Sequence, residues 1–424
     1  MSQKAIIVGV QLDDNDLFEY EIDELKNLCL ACEIDSVSTL IQSATTIHPK
    51  TYIRKGKIEE LKLAIDAAEA DIIVCNDELS PAQISTLEKL LDISVFDRTY
   101  IILEIFKRRA KTKEAILQVD IASLRYLMPR LIGLHQGFSR QRGVGGKGRG
   151  RGQGETQLEL DRRNIGDRIA FLKKQLDDLK KDRAVQRQKR KNSDIPIVSL
   201  VGYTNSGKSS TLNALLDHSH HLKKEVLEKD MLFATLETSS RFIQLSNNHR
   251  FIAIDTVGFV SKLPHQLIEA FKSTLEEISE SNLIIHVVDS SNEYYEDQIR
   301  ITNEVLEELG VKDIPVIYAF NKMDKLDQVL FIPPTYQNSV PISATRGNNI
   351  EDLLLLIEMQ LFGQEEEVML CIPYDKTQVL DAIKAHAHII EMDYNEKAVI
   401  IHAKMSKEKA KQYESFIQTK KPEV

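Results

Sequence analysis

The sequence predicts an α/β protein with four domains, and three observations lead to this prediction. Apolar strands alternate with amphipathic helices in residues 1–110 and, more strongly, in residues 194–364, as in parallel sheets covered by helices. Residues 111–193 carry two helical heptad patterns separated by a glycine-rich loop, which favours a long antiparallel helical hairpin. Residues 365–424 mix short strands and helices, which indicates a small α+β domain.

The length and composition fit this division. A chain of 424 residues exceeds one ordinary core, and 42% apolar with 28% charged residues is typical of soluble globular proteins. No apolar run approaches the roughly 20 residues that cross a bilayer, and the acidic start is unlike a signal peptide. We therefore expect a cytoplasmic protein without a membrane span, with association with ribosomes or a membrane surface left open. Nothing in the sequence calls for more than a monomer.

The N-terminal residues predict a small parallel sheet. Apolar strands are expected at residues 5–10, 71–75 and 93–96, with amphipathic helices between them. Ser80 followed by Pro81 is a helix start, with the serine as cap and the proline at the first helical position. Cys29 and Cys32 form a CxxC late in a helical stretch, where neither a redox pair nor a zinc site is expected. Buried thiols are the better interpretation.

The middle region predicts two helices that pack on each other. Both seams have the 4-3-4-3 spacing of a coiled coil, through Leu117, Ile121, Leu124, Met128 and Leu131, and through Ile165, Ile169, Leu172, Leu176 and Leu179. Neither helix would be more than marginally stable without the other. We expect an antiparallel hairpin whose first helix stops near Pro129.

The loop of this hairpin is strongly basic. Residues 143–154 hold seven of the eighteen glycines, and residues 107–191 carry 24 Lys and Arg against 9 Asp and Glu. That net charge of +15, in a protein of net charge −9, favours a polyanionic partner, and RNA is our leading interpretation. A flexible linker is the alternative. The residues that we expect to contact RNA phosphates are Arg140, Arg142, Lys147, Arg149 and Arg151.

Residues 202–209 match the phosphate-binding pattern GxxxxGK[ST] between an apolar strand and a helix. The backbone N–H groups of such a loop and the helix N-terminus surround phosphate oxygens. Lys208 is expected to reach the β- and γ-phosphates, and Ser209 to bind Mg²⁺. The predicted nucleotide contacts here are Gly202, Tyr203, Thr204, Asn205, Ser206, Gly207, Lys208, Ser209 and Ser210.

Three further segments select the nucleotide. Asp255 ends a strand and can help hold Mg²⁺, while Gly258 can donate its N–H to a γ-phosphate; Thr256 and Val257 lie between them. In the run Asn321, Lys322, Met323, Asp324, the aspartate can accept two hydrogen bonds from guanine that adenine does not offer. The backbone of Ser343, Ala344 and Thr345 can meet the guanine oxygen.

Thr235, after Phe233 and Ala234, completes the set as the threonine that closes over Mg²⁺ and the γ-phosphate. Five motifs in this order predict a P-loop GTPase domain that binds GTP, GDP and Mg²⁺. Lys208, Thr235 and Gly258 are the predicted catalytic residues, and Ser209, Thr235 and Asp255 the predicted metal ligands.

Phe259 occupies the position at which Ras-like GTPases carry a glutamine that orients the attacking water. A phenyl ring cannot orient water. We therefore expect slow hydrolysis by the protein alone and stimulation by a partner.

With these residues in view, the chain resembles the HflX family of ribosome-associated GTPases, which belongs to the translation-factor-related P-loop GTPases. The resemblance runs from about Tyr52 to Phe362 and rests on DELSPAQ (77–83), LRYLMPRL (124–131), GQGETQLELDRR (152–163), FATLE, DTVGFV and LPHQLIEAFKSTLEE (263–277). It implies a factor that docks on the large ribosomal subunit, places the hairpin loop near its ribosomal RNA and dissociates stalled ribosomes, with GTP hydrolysis releasing the factor. Assistance to ribosome assembly or RNA modification is the alternative.

The family resemblance also implies ATP hydrolysis by the N-terminal domain. The family's glycine-rich turn reads TYIRKGK in this sequence, with Arg54 where a glycine is usual. This departure argues against a second nucleotide site on that turn.

Overall fold

The computed structural model describes residues 2–131, 150–191, 195–219, 239–245, 249–264, 267, 278–328, 330–363, 365–395 and 397–417. Within the helix at 150–191, side chains are described for residues 159–179. Thr235 with its neighbours Phe233 and Ala234, and the predicted RNA contacts from Arg140 to Arg149, lie outside the described residues.

The N-terminal domain is a parallel sheet with helices on both faces. Its elements are β1 (Gln3–Gln11), α1 (Phe18–Ala31), β2 (Ile34–Ser43), α2 (Lys55–Ala68), β3 (Ile72–Cys75), α3 (Pro81–Leu91), β4 (Ser94–Asp97) and α4 (Arg98–Arg109). The strand order is β2-β1-β3-β4, and all pairs are parallel. Because successive side chains of a strand point to opposite faces, Ala5 and Ile7 pack with α1 and α4, whereas Ile6 and Val8 pack with α2 and α3.

The start of α3 follows from its sequence. Ser80 Oγ accepts a hydrogen bond from the Gln83 backbone N–H at 3.3 Å, and the Ser80 N–H donates to Gln83 Oε1 at 2.9 Å. This reciprocal pair is a capping box, with Pro81 at the first helical position as predicted. Arg54 caps α2 in an extended conformation that any residue adopts, so this turn does not require the glycine that is missing.

Three of the four cysteines are buried thiols, including Cys29 and Cys32, for which the sequence indicates burial. Cys29, Cys32 and Cys75 are buried and Cys371 is partly exposed, and none forms a disulfide. Burial raises the pKa of Cys29 to about 12 and that of Cys32 to about 11. Because the thiolate is the reactive form, this CxxC is chemically inert at neutral pH.

Among the described residues, the middle region contains the helices α5 (Lys113–Leu127) and α6 (Gly150–Lys191). Their apolar seams pack together through Leu117, Ile121, Ile169, Leu172 and Leu176, all buried. After Leu127 the chain tightens into a 3-10 turn at Met128–Arg130, which contains Pro129. Helix α6 begins at Gly150, inside the stretch predicted as loop, although each glycine in a helix costs about 1 kcal/mol. Packing of its apolar seam on α5, rather than local propensity, stabilises this helix.

The next domain has a six-stranded sheet of order β10-β9-β8-β5-β7-β6, in which only β6 is antiparallel to its neighbour. Its elements are β5 (Ile197–Val201), α7 (Lys208–Asp217), β6 (Ser239–Gln244), β7 (Arg250–Asp255), β8 (Leu283–Asp289), α8 (Tyr295–Glu308), β9 (Val316–Asn321), β10 (Ser339–Pro341) and α9 (Ile350–Phe362). The carboxyl ends of β5, β7, β8 and β9 lie side by side at one edge, which is where open α/β sheets bind ligands.

These two domains share one core. Phe18 and Ile22 of α1 belong to the same buried apolar cluster as Phe259 and Val260, which follow β7, and Val305 of α8. The N-terminal domain therefore rests directly against the segment that follows the ligand-binding edge of the second sheet.

The C-terminal residues form a separate antiparallel sheet of order β11-β13-β12, with β11 (Glu365–Pro373), α10 (Thr377–His386), β12 (His388–Tyr394), β13 (Ala398–Ser406) and α11 (Lys407–Gln412). Its own buried cluster includes Leu370, Ile383 and Ile401. Across the described part of the chain, no helix combines the length and apolar character needed to cross a membrane.

Candidate nucleotide-binding site

The loop between β5 and α7 wraps tightly because two of its residues lack side chains. Gly202 has a φ of +146° and Gly207 a φ of +95°, conformations that other residues rarely adopt. A Cβ on Gly202 would lie 2.2 Å from the carbonyl oxygen of Val287, and one on Gly207 would lie 2.2 Å from Asn321 Nδ2. These glycines let the loop lie directly on the ends of β8 and β9.

Lys208 is the first residue of α7 and is buried. Its Nζ donates to the carbonyl oxygens of Gly202 at 3.1 Å and Tyr203 at 2.8 Å. Burial lowers the pKa of Lys208 to about 8, against an opposing contribution from Asp255. A cation held in so little water is well placed to bind a polyanionic ligand such as a phosphate chain.

Two hard oxygen donors meet next to this lysine. Ser209 Oγ donates to Asp255 Oδ2 at 2.6 Å, and Asp255 ends β7 with its carboxylate fully buried. Hydroxyl and carboxylate oxygens are the ligands that Mg²⁺ prefers, so the residues present fit that ion. Ser206 Oγ in the same loop is buried and makes no hydrogen bond within the described structure, which also fits a bound ligand.

The segment after Asp255 lies against the loop. Thr256 Oγ1 donates to the Leu200 carbonyl at 2.6 Å, the Thr204 N–H donates to the Phe259 carbonyl at 2.6 Å, and the Phe259 N–H donates to the Gly202 carbonyl at 3.2 Å. A Cβ on the intervening glycine, Gly258, would lie 3.1 Å from Lys208 Nζ and 2.8 Å from Thr204 Cα. The structure therefore brings Gly258 and Lys208 together, as the sequence predicts for two groups that share one phosphate.

The ring of Phe259 is fully buried in the apolar cluster between the domains. It makes no polar contribution to the phosphate side of the loop. The Phe259 side chain offers no group that could orient a water molecule.

Asn321 ends β9 and Asp324 lies in the turn after it, in the segment that the sequence predicts to recognise guanine. Asn321 Nδ2 donates to the Ser206 carbonyl at 2.9 Å, and its Oδ1 accepts from the Ala344 N–H at 3.0 Å, so one side chain ties the phosphate loop to residues 343–345. Ser343 Oγ donates to Asp324 Oδ1 at 2.6 Å and lowers the pKa of that carboxyl, with help from nearby Arg346 and Lys325. An ionised carboxylate at this edge can accept two hydrogen bonds.

The structure adds two residues of β8 that the motifs did not include, Asp289 and His286. Asp289 Oδ2 accepts a hydrogen bond from Lys322 Nζ at 2.7 Å, which joins the end of β8 to the segment predicted to recognise guanine. Asp289 is the last residue of the apolar strand β8, and a polar residue at that position was a usable signal. His286, inside β8, is buried and burial lowers its pKa to about 3, a consequence of packing that no local pattern reveals.

Comparison with known proteins extends this description. Three family models match, described as GTP-binding GTPase N-terminal (residues 19–107), GTP-binding GTPase Middle Region (109–190) and 50S ribosome-binding GTPase (197–322). GTPase HflX of Caldanaerobacter subterraneus is 40% identical over 415 residues, covering 98% of this chain and 94% of that protein. GTPase HflX of Lacrimispora saccharolytica is 41% identical over 404 residues, covering 95% and 93%.

Among solved structures, a GTP-binding protein from the hyperthermophilic archaeon Sulfolobus solfataricus in complex with GDP is 24% identical, with a TM-score of 0.43. The match covers 85% of this chain and 98% of that one.

Proposed function

Because this chain belongs to the HflX family of ribosome-associated GTPases and hydrolyses GTP, we propose that it binds the large ribosomal subunit in its GTP state and dissociates ribosomes. Hydrolysis on the ribosome then releases the factor. The basic hairpin loop is the part that contacts ribosomal RNA. The protein acts as a monomer, since neither the site nor the hairpin needs a second copy.

One observation carries this proposal, the continuous contact from the hairpin to the nucleotide edge. At the base of the hairpin, Asp97 accepts hydrogen bonds from Tyr126 Oη at 2.8 Å and Arg130 Nη2 at 3.0 Å. The next residue, Arg98, donates to Ser261 Oγ at 2.7 Å, three residues after Gly258. This chain of buried contacts supports a nucleotide-dependent placement of the hairpin.

In the proposed complex, each part of the nucleotide has its own protein contacts. Lys208 binds the β- and γ-phosphates, and the backbone N–H groups of residues 202–209 surround them. Ser209 and Asp255 would hold Mg²⁺ together with Thr235, and Gly258 would donate its N–H to the γ-phosphate. Asp324 accepts hydrogen bonds from guanine.

In the reaction, a water oxygen attacks the γ-phosphorus, the bond to the β–γ bridging oxygen breaks, and GDP and inorganic phosphate leave. When bound by Ser209 and Asp255, Mg²⁺ would neutralise charge on the phosphate oxygens. This chain contributes position and charge through Lys208 and Gly258, and Phe259 contributes no group that orients the water. The ribosome supplies that missing function, so turnover by the protein alone is slow.

The RNA contact is tested by cosedimentation with large subunits in the presence of a non-hydrolysable GTP analogue. We expect binding by the wild-type protein and a loss of at least about tenfold in affinity when Arg142, Lys147, Arg149 and Arg151 become alanine, because each phosphate contact releases counterions. The binding of the wild-type protein should also weaken steeply as salt increases.

A matched control removes four charges from the body of α6, where Arg162, Arg163, Lys173 and Lys174 are exposed. This variant has the same net charge as the loop variant and should bind nearly as well as the wild type. Equal losses in both variants, or no loss in the loop variant, would reject the loop as the RNA contact.

A further inference from the structure

A polar cluster sits between the N-terminal and GTPase domains, and we call it the Glu24 cluster. It consists of Glu24 and Arg98 from the N-terminal domain with Tyr203 and Ser261 from the GTPase domain. All four are buried, and Arg98 is the largest fully buried side chain described. A buried charge is tolerated only when it is paired and hydrogen-bonded, so this cluster requires the two domains to keep their relative position.

The hydrogen bonds of the cluster converge on the segment after Gly258. The Ser261 N–H donates to Tyr203 Oη at 2.6 Å, and the Tyr203 and Ser261 hydroxyls both donate to the Glu24 carboxylate. Arg98 Nη2 donates to Ser261 Oγ at 2.7 Å and pairs with Glu24. The carboxylate and the guanidinium thus fix Tyr203, inside the phosphate loop, and Ser261, beyond Gly258, to each other.

Arg98 is itself held by the N-terminal domain. Its Nη1 donates to the Glu21 carbonyl at 3.1 Å and to Asn76 Oδ1 at 3.0 Å. A second tie lies beside it, because Lys262 Nζ is 2.7 Å from both Glu21 Oε2 and Asp77 Oδ1. Lys262 has a φ of +53°, a conformation that a non-glycine residue keeps only when its surroundings enforce it.

We propose that Glu24 and Arg98 are positioning residues for the GTPase reaction, acting through Tyr203 and Ser261 to hold the Gly258 N–H beside Lys208. Gly258 lies between fixed points, since Thr256 before it is bonded to the Leu200 carbonyl, and after it the Phe259 backbone is bonded to the phosphate loop and Ser261 is anchored by the cluster. A donor that is already oriented needs no reorganisation when charge develops on the γ-phosphate. The N-terminal domain therefore supports GTP recognition without touching the nucleotide.

This inference rests on the proposed role of Gly258, and it predicts a selective effect. Loss of the Glu24 cluster weakens binding of a nucleotide with a γ-phosphate and slows turnover, but leaves GDP binding nearly intact. By thermodynamic reciprocity, the γ-phosphate in turn strengthens the contact between the domains. A purely structural role would change GTP and GDP binding equally.

The test measures affinities for GDP and for a non-hydrolysable GTP analogue by calorimetry, with single-turnover GTP hydrolysis, in Ser261→Ala and Glu24→Gln. We expect the preference for the analogue over GDP to fall about fivefold in Ser261→Ala and further in Glu24→Gln, with kcat lowered more than KM is raised. Ser281→Ala is the matched control, because Ser281 is another buried serine of the GTPase domain, bonded to Ser199 at 2.6 Å. It should keep the preference within about twofold.

An unchanged preference in folded Ser261→Ala, or an equal change in Ser281→Ala, overturns the positioning role. If Glu24→Gln fails to fold, Ser261→Ala and Tyr203→Phe carry the test, because each removes a hydroxyl and leaves the ion pair in place. If instead the proposed role of Gly258 is wrong, Gly258→Ala will keep the wild-type preference for the analogue over GDP.

Discussion

The N-terminal sheet and the GTPase-domain sheet both carry polar residues at the carboxyl ends of their parallel strands, but the partners of these residues differ. At the N-terminal edge, the polar side chains after β3 and β4 bind one another and neighbouring domains, as Asn76 donates to Glu21 and Asp97 accepts from Arg130. At the GTPase edge, much of the polar surface is main chain, and Ser206 Oγ and the lowered pKa of Lys208 indicate groups suited to a ligand. The same layer architecture thus provides a contact between domains at one edge and a ligand-binding site at the other. The residues at each edge determine which of the two forms.

This comparison predicts that charge removal costs stability at the first edge and function at the second. The largest effect should come from Arg98→Met, which leaves the buried Glu24 carboxylate without its partner. We expect the free energy of unfolding, from urea denaturation, to fall by about 3–5 kcal/mol.

Arg300→Met is the control for Arg98→Met. Arg300 lies 2.7 Å from Asp297 but its side chain is 58% exposed. Exposed pairs contribute little, so this variant should lose less than about 1 kcal/mol. Similar losses in the two variants would remove the distinction between a buried joint and an ordinary surface pair.

At the GTPase edge, Asp324→Asn should change binding rather than folding. The amide can no longer accept both guanine donors, so GTP affinity should fall at least about 100-fold while the thermal midpoint moves little. Xanthosine triphosphate offers an oxygen where guanine offers an amino group, and it should bind this variant better than GTP does. Fluorescent-nucleotide competition measures both affinities, with the exposed Asp327→Asn as the neighbouring control.

The sequence was sufficient to place the second edge but not the first. Local patterns at the ends of apolar strands predict the phosphate loop, Asp255 and Asn321. The Glu24 cluster joins residues 163 positions apart, as between Arg98 and Ser261, and no local pattern specifies which buried charges will meet. In the sequence, the polar residues of this cluster look like ordinary helix and loop residues, because their partners lie in the other domain.

The smallest of these effects concerns His286, which lies beneath the phosphate loop. Its pKa is about 3 because burial disfavours the charged ring, with a smaller contribution from Lys208. Between pH 6.5 and 3 the unfolded chain takes up a proton that the folded chain does not, so stability falls as the pH falls. From pH 7 to pH 5 this residue should lower the free energy of unfolding by about 2 kcal/mol.

His286→Leu isolates that contribution, because every other titrating group is common to both proteins. His286 Nδ1 makes no hydrogen bond within the described structure, so leucine removes the titration and leaves no partner of that nitrogen unpaired. The difference in unfolding free energy between variant and wild type should therefore grow in favour of leucine from pH 7 to pH 5. A pH-independent difference would mean that the folded protein protonates this histidine. The GTPase edge would then hold a second buried cation close to Lys208, and its buried charges would no longer be confined to groups suited to a ligand.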